Sequence, residues 1–183
     1  MRSQSGDRRR EELRRLFEYN DWANERLTGM LEKVFGKQTD LRRSEDPRVR
    51  GIQEAAAHIV AAQSIWLLRW QGESPTALPD TAQWPTPASL QHAFAEERKQ
   101  FWLYFNSLYR EGQVTSLIHY TTTRGKPYTN ALWQMMQHVV LHSAYHRGQV
   151  TARLLDLGYE DAIVSMDLIE FYRETHTTPL EAK

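Results

Sequence analysis

Between about Asn130 and Leu157 apolar side chains return every three to four residues with no break, up to a stop at Gly158. A period of 3.6 sustained over so many residues is that of an α-helix with one buried face, so the chain must supply other apolar faces to cover it. Three more stretches offer them. From Asp7 to about Val34, Leu13, Leu16, Phe17, Ala23, Leu27, Met30, Leu31 and Val34 share one helical face, with Asp7 as the expected N-cap and Gly36 as the stop. Gly51 to Gln71 carries Ile52, Ala55, Ala56, Ile59, Ala62, Ile65, Trp66 and Trp70, and Gly72 closes it. Thr86 and Pro87 read as an N-cap followed by proline at the first helical position, opening a third helix through Leu90, Phe94, Phe101, Tyr104 and Leu108.

The connections are as informative as the helices. Asp40 to Pro47 is a charged linker, and Glu73 to Pro87 holds four of the seven prolines, which marks a long irregular crossover. Val114 to Tyr128 is β-prone around Arg124 and Gly125 and predicts a short hairpin; Met166 to Glu174 predicts a short last helix. The expected fold is all-α: a four-helix bundle with crossover connections, a short β-hairpin before the fourth long helix and a short C-terminal helix. At 183 residues, one domain over 1–183 suffices.

Composition narrows the function. Lys and Arg number 23 and balance 23 Asp and Glu, interleaved along the chain. Apart from Arg2, Arg8, Arg9, Arg10, Arg14 and Arg15 near the start, which read as a solvated helix, nothing gathers the positive charge that nucleic acid requires. No signal-peptide pattern and no membrane-spanning apolar run is present, so the expectation is a cytoplasmic protein without membrane or nucleic-acid partners. Cysteine is absent, which leaves nitrogen and oxygen as the only protein ligands for a metal.

His138, His142 and His146 repeat at intervals of four within the fourth helix and share an arc about 80° wide. Met135 and Val139 lie on the same arc, so it is read as the inward face, where an unpaired imidazole is costly. His138 and His146 stand about 12 Å apart along the axis, so no more than two of the three can share an ion. A third ligand must come from another helix, and His58, among Ala55, Ala62 and Ile65, is the strongest candidate. His92 falls on the wet face of helix three, His119 in the hairpin and His176 in the tail. On spacing alone, hydrogen-bonded core histidines and metal ligands both stay open. HExxH, Glu-x-x-His, glycine-rich phosphate loops and Gly-x-Ser-x-Gly elbows are all missing.

His142-Ser143-Ala144-Tyr145-His146-Arg147-Gly148-Gln149 resembles the HxxxHRGQ motif of the DinB family. Tyr19-Asn20-Asp21-Trp22-Ala23-Asn24, the position of His58, Gly125-Lys126-Pro127-Tyr128 ahead of Trp133, and Asp167-Leu168-Ile169 resemble other landmarks of that family in the same order. The resemblance implies a bundle holding a divalent metal, nickel or zinc foremost, on His58, His142 and His146, with His138 outside the ligand set. It further implies activities such as thiol S-transfer with a low-molecular-weight thiol cosubstrate, or isomerisation. The family name refers to damage induction and does not imply contact with DNA.

Other polar residues stand out on apolar faces. Asn20 and Asn24 lie one turn apart in helix one and are read as a hydrogen-bonded network, with a place beside the ligands or a contact with substrate as the alternative. Glu97 interrupts the Phe94–Phe101 stripe, as a buried ion pair or a general base; Gln149 is placed to orient a water, His138 to support the site, and Arg147 to make a salt bridge on the opposite side. The leading function is a divalent-metal-binding, metal-dependent enzyme, thiol S-transferase-like or hydrolase-like, acting on a small molecule through a three-His Lewis-acid centre. The alternative is a non-catalytic metal-binding stress-response protein. A homodimer is expected from the resemblance and from the number of aromatic residues.

Overall fold

The computed structural model describes residues 3–108 and 112–175. Four long helices, α1 (Ser3–Phe35), α2 (Pro47–Trp70), α3 (Pro87–Ser107) and α4 (Leu132–Asp156), form the bundle. Strands β1 (Leu117–Thr121) and β2 (Pro127–Ala131) pair antiparallel just before α4, and a short α5 (Leu168–Thr175) follows it.

Local chemistry explains where these elements begin and end. Thr86 Oγ1 accepts from the Ser89 amide at 3.1 Å while Ser89 Oγ accepts from the Thr86 amide at 2.9 Å, a reciprocal cap with Pro87 in the first turn. Gly36 ends α1 with φ at 78°, a conformation that disfavours any residue with a Cβ. Three sequence expectations need correction. Helix α1 starts at Ser3, so Asp7 lies inside it and is not its cap. Helix α2 starts at Pro47, capped by Asp46, whose carboxylate accepts from the Arg48 amide at 2.8 Å. Gly51 is therefore interior to α2, and its reason is contact: a Cβ there would stand 2.8 Å from Nε of Arg153. The hairpin extends to Ala131, so Asn130 belongs to β2 and not to α4.

Side-chain contacts fix the helix directions. Arg9 lies 4.5 Å over the Trp133 ring, and Leu27, Met30 and Leu31 pack with Val150 and Leu154, so α1 and α4 run parallel. Gln53 donates to the Trp84 carbonyl and Tyr104 to that of Trp70, so α2 and α3 are parallel too. Phe17 stacks on Phe101 at 3.7 Å and Arg48 donates to the Asp156 carbonyl, which sets these two pairs antiparallel to each other. Parallel neighbours cannot be joined by a tight turn, and the proline-rich stretch between α2 and α3 is the crossover that returns the chain to the starting end. Among the described residues no helix is long and apolar enough to cross a membrane.

The core comes in two parts. One apolar cluster centres on Leu13, Phe17, Trp70, Phe101, Phe105, Leu132 and Met136; the other on Leu27, Leu31, Ile52, Ile59, Leu90, Val150 and Leu154. Between them lies a polar layer. Arg147, 2% exposed, donates from Nη1 to Oδ1 of Asn20 at 2.9 Å and of Asn24 at 2.7 Å, with the Tyr19 ring 5.5 Å away. The expected salt bridge is replaced by two amide acceptors, because the side of α1 that meets Arg147 carries asparagines, while Asp21 and Glu25 turn to Trp102 and Arg98 of α3. Burial holds the Arg147 pKa below its ordinary value.

Removing one acceptor strands part of a buried cation, whereas removing all three partners together leaves an apolar contact. We expect Asn20→Leu or Asn24→Leu to cost about 1–3 kcal/mol in urea denaturation. The triple change Asn20→Leu, Asn24→Leu, Arg147→Met should cost less than the sum of its parts.

Candidate metal centre

The antiparallel contact between α2 and α4 brings one face of each helix together at the level of the polar layer. His58 comes from α2, and His142 and His146 from successive turns of α4. The ring centroids lie 4.5 Å apart for His142–His146, 4.6 Å for His58–His146 and 5.1 Å for His58–His142. One nitrogen from each of the three falls within 4.8 Å of the others. Nε2 of His142 and Nε2 of His146 are 3.2 Å apart. Ligand nitrogens around a tetrahedral zinc-like ion stand about 3.3 Å apart, as metal–nitrogen bonds of about 2.0–2.1 Å require. The α4 pair already has that spacing, and the edges to His58 are somewhat wider.

Gln149 supplies an orienting contact. Its Oε1 lies 2.9 Å from Nδ1 of His146, so that nitrogen carries the proton and Nε2 keeps its lone pair toward the other two rings. The water-orienting place read for Gln149 from sequence is thus taken by a direct contact with an imidazole. All three rings are half-buried. Burial, with repulsion from His146, His58 and His138, pushes His142 down to about 4, and burial with repulsion from His146 lowers His58. Neutral imidazoles are the form that coordinates metals.

The remaining residues fall into distinct places. His138 is not in the three-histidine group; it is exposed, with its ring 5.5 Å from His142 and 5.1 Å from Trp66. The arc read as wholly inward therefore turns outward at this end. Asn20 and Asn24 face Arg147 on the α1 side of α4 and not an imidazole. Glu97 accepts a hydrogen bond from Ser64 on α2 in place of an ion pair, and burial raises its pKa while that bond lowers it. Gln63 donates to Ser143, continuing the polar layer between α2 and α4. His92 and His119 are exposed and away from the group, His119 bonding Thr129 in the hairpin, and His176 lies outside the described residues.

Sequence reading passed over two charged residues. Asp21, noted only as part of a motif, is pushed up to about 6 by burial and accepts from Trp102 Nε1 at 2.8 Å. It lines a cavity of about 320 Å³ with Asn24, Thr28, Phe94 and Arg98 on the α1–α3 face, across the bundle from the histidines. Arg69, buried at the end of α2, is the other. Nothing in a lone basic residue in a last helical turn distinguishes it from an ordinary helix end.

Three imidazoles and no carboxylate or thiolate make a donor set suited to late first-row divalent ions. The chain is 23% identical over 169 residues to Protein DinB of Bacillus subtilis (strain 168), an alignment covering 88% of this chain and 95% of that protein. The model of the DinB family matches residues 3–177, nearly the whole length and the entire histidine constellation, and the chain belongs to the DinB family.

Proposed function

We propose that the chain binds one divalent ion, nickel or zinc, through His58, His142 and His146, and uses it as a Lewis acid in a thiol S-transferase-like or hydrolase-like reaction on a small molecule. The observation that carries this reading is the convergence of three imidazole nitrogens within 4.8 Å from two helices. A centre with three protein ligands keeps a position for an exogenous water or thiol, whose pKa a bound metal lowers. The chain's own part is to keep the three rings neutral and aimed, His146 through Gln149, and to hold them half-buried, which limits water. With no cysteine in the chain, a thiol nucleophile would arrive as a low-molecular-weight cosubstrate. A cytoplasmic location is part of the same proposal. Turnover by metal-loaded protein with a panel of small thiols and an electrophile separates it from metal storage or a purely structural ion; a panel without turnover would favour those.

Elemental analysis of untagged variants tests the ligand set. His58→Ala, His142→Ala and His146→Ala should each lose most of the metal, and His138→Ala should keep it. Gln149→Leu should keep the fold and weaken binding by about ten- to a hundredfold. A site emptied by His138→Ala and left full in His146→Ala would move the assignment by one helical turn.

The lowered His142 pKa has a definite sign. In the unfolded chain a histidine takes up its proton near 6.5, whereas His142 in the folded metal-free protein does so only at about 4. As pH falls from 6.5 to 4 the unfolded state therefore binds more protons at this position and the metal-free fold loses stability; above 6.5 the residue contributes no slope. His142→Gln should flatten the pH dependence of the urea midpoint in that window. An unchanged slope would contradict the assignment.

A homodimer is part of the same proposal, supported by Leu141 and Tyr145, which stand 69% and 66% exposed on one side of α4. Light scattering at tens of micromolar should give twice the chain mass, and a monomer would remove this element.

A further inference from the structure

Arg69 follows His58 by eleven residues on α2, three turns that add about 16 Å of rise and only about 20° of net rotation, so both residues share one helix face. Rings contributed by α4, α2 and β1 run the same way. His138 lies 5.5 Å from His142, Trp66 lies 5.1 Å from His138, and the Arg69 guanidinium lies 4.6 Å from the Trp66 ring and 5.4 Å from the Tyr120 ring of β1. A path leads from the three imidazoles across two rings to a cation.

Among the described residues that cation has no counterpart. Arg69 is 5% exposed, its Nε is sealed from solvent without an acceptor, and among the described residues it makes no hydrogen bond or ion pair. Arg48 pairs with Asp46 and Arg26 with Glu174; Arg147 also leaves one buried nitrogen, Nη2, without a partner, but its Nη1 has two asparagine acceptors, whereas Arg69 has none. Burial without an acceptor lowers the Arg69 pKa, yet a guanidinium stays charged. Ring faces attract a cation but do not accept its in-plane N–H groups, whose natural complement is the fork of a carboxylate.

We propose that Arg69 binds the carboxylate, or an equivalent oxyanion, of an elongated small molecule whose other end reaches the three-histidine centre, with the Trp66 and His138 rings against its apolar middle. The inference deepens the metal-centre reading and rests on it for the second anchor point. The competing role for Arg69, pinning the hairpin to α2 through Tyr120, predicts no preference for anions.

Calorimetric titration of cobalt-loaded protein with ω-mercaptoalkanoic acids of increasing length, and with their methyl esters, decides between the two. The acid should bind about tenfold or more tightly than its ester once the chain is long enough to span the roughly 16 Å from the histidines to Arg69, near 11-mercaptoundecanoate, and the two should bind alike when short. Arg69→Met should abolish that preference without changing cobalt content or ester affinity. Equal affinity of acid and ester at every length in the parent protein overturns the proposal, with no variant needed, and so does a preference that survives Arg69→Met. Metal-free protein titrated with octanoate and methyl octanoate separates the two readings. Preference for octanoate with no cobalt uptake would keep Arg69 as an anion site and remove the metal centre; indifference between the two in a protein that does take up cobalt would remove the anion site alone.

Discussion

Helices α2 and α4 pack antiparallel with alanines on the α2 side, Ala55 and Ala62 both buried within a turn of His58. Small side chains there let an imidazole from α2 reach across to two on α4; a larger residue at either place would fill the space the rings occupy. The two apolar clusters, one on each side of the polar layer, fix the axial register of that contact. A slip of one turn moves a residue by about 5.4 Å, more than the 4.8 Å that contains the three nitrogens, so the geometry of the site depends on the core that flanks it.

The eight residues from His142 to Gln149 serve two sides of the bundle at once. His142 and His146 turn toward α2, with Gln149 one turn on holding His146 by its Nδ1 proton, while Arg147, about 100° around the helix from His146, enters the core toward α1 and takes Asn20 and Asn24. One segment thereby ties the candidate centre to the first helix through a buried guanidinium. A charge without a carboxylate partner is tolerated there because amide oxygens satisfy Nη1 and the Tyr19 ring lies alongside. Placing the polar layer midway along the bundle costs apolar burial, and the clusters on both sides offset that cost.

Much of this was legible in the residues. Helical periodicity gave four long helices, Thr86-Pro87 gave the start of α3, and the 12 Å separation of His138 from His146 excluded a site made of α4 alone. What was missed has physical reasons. Asp46-Pro47 is as good a helix start as Thr86-Pro87, but the charged residues around it resembled a linker, and Gly51, read as a boundary, is an interior glycine that makes room for Arg153. Arg147 was read as half of a salt bridge because periodicity tells which way a residue points but not what the facing helix offers. Gln149 and Arg69 depend on contacts across three dimensions, with a ring on the same helix in one case and with a β-strand in the other. Burial of a cation without an acceptor leaves no trace in spacing or composition.

The central claim is that three imidazoles, two from α4 and one from α2, hold a single divalent ion. X-ray absorption at the metal edge of zinc- or nickel-loaded protein reads the first shell directly. The account predicts about three imidazole nitrogens near 2.0–2.1 Å, with outer-shell scattering from their rings, and one or more exogenous ligands such as water completing the shell. A spectrum with one imidazole or none, or a shell made of carboxylate oxygens, would contradict it.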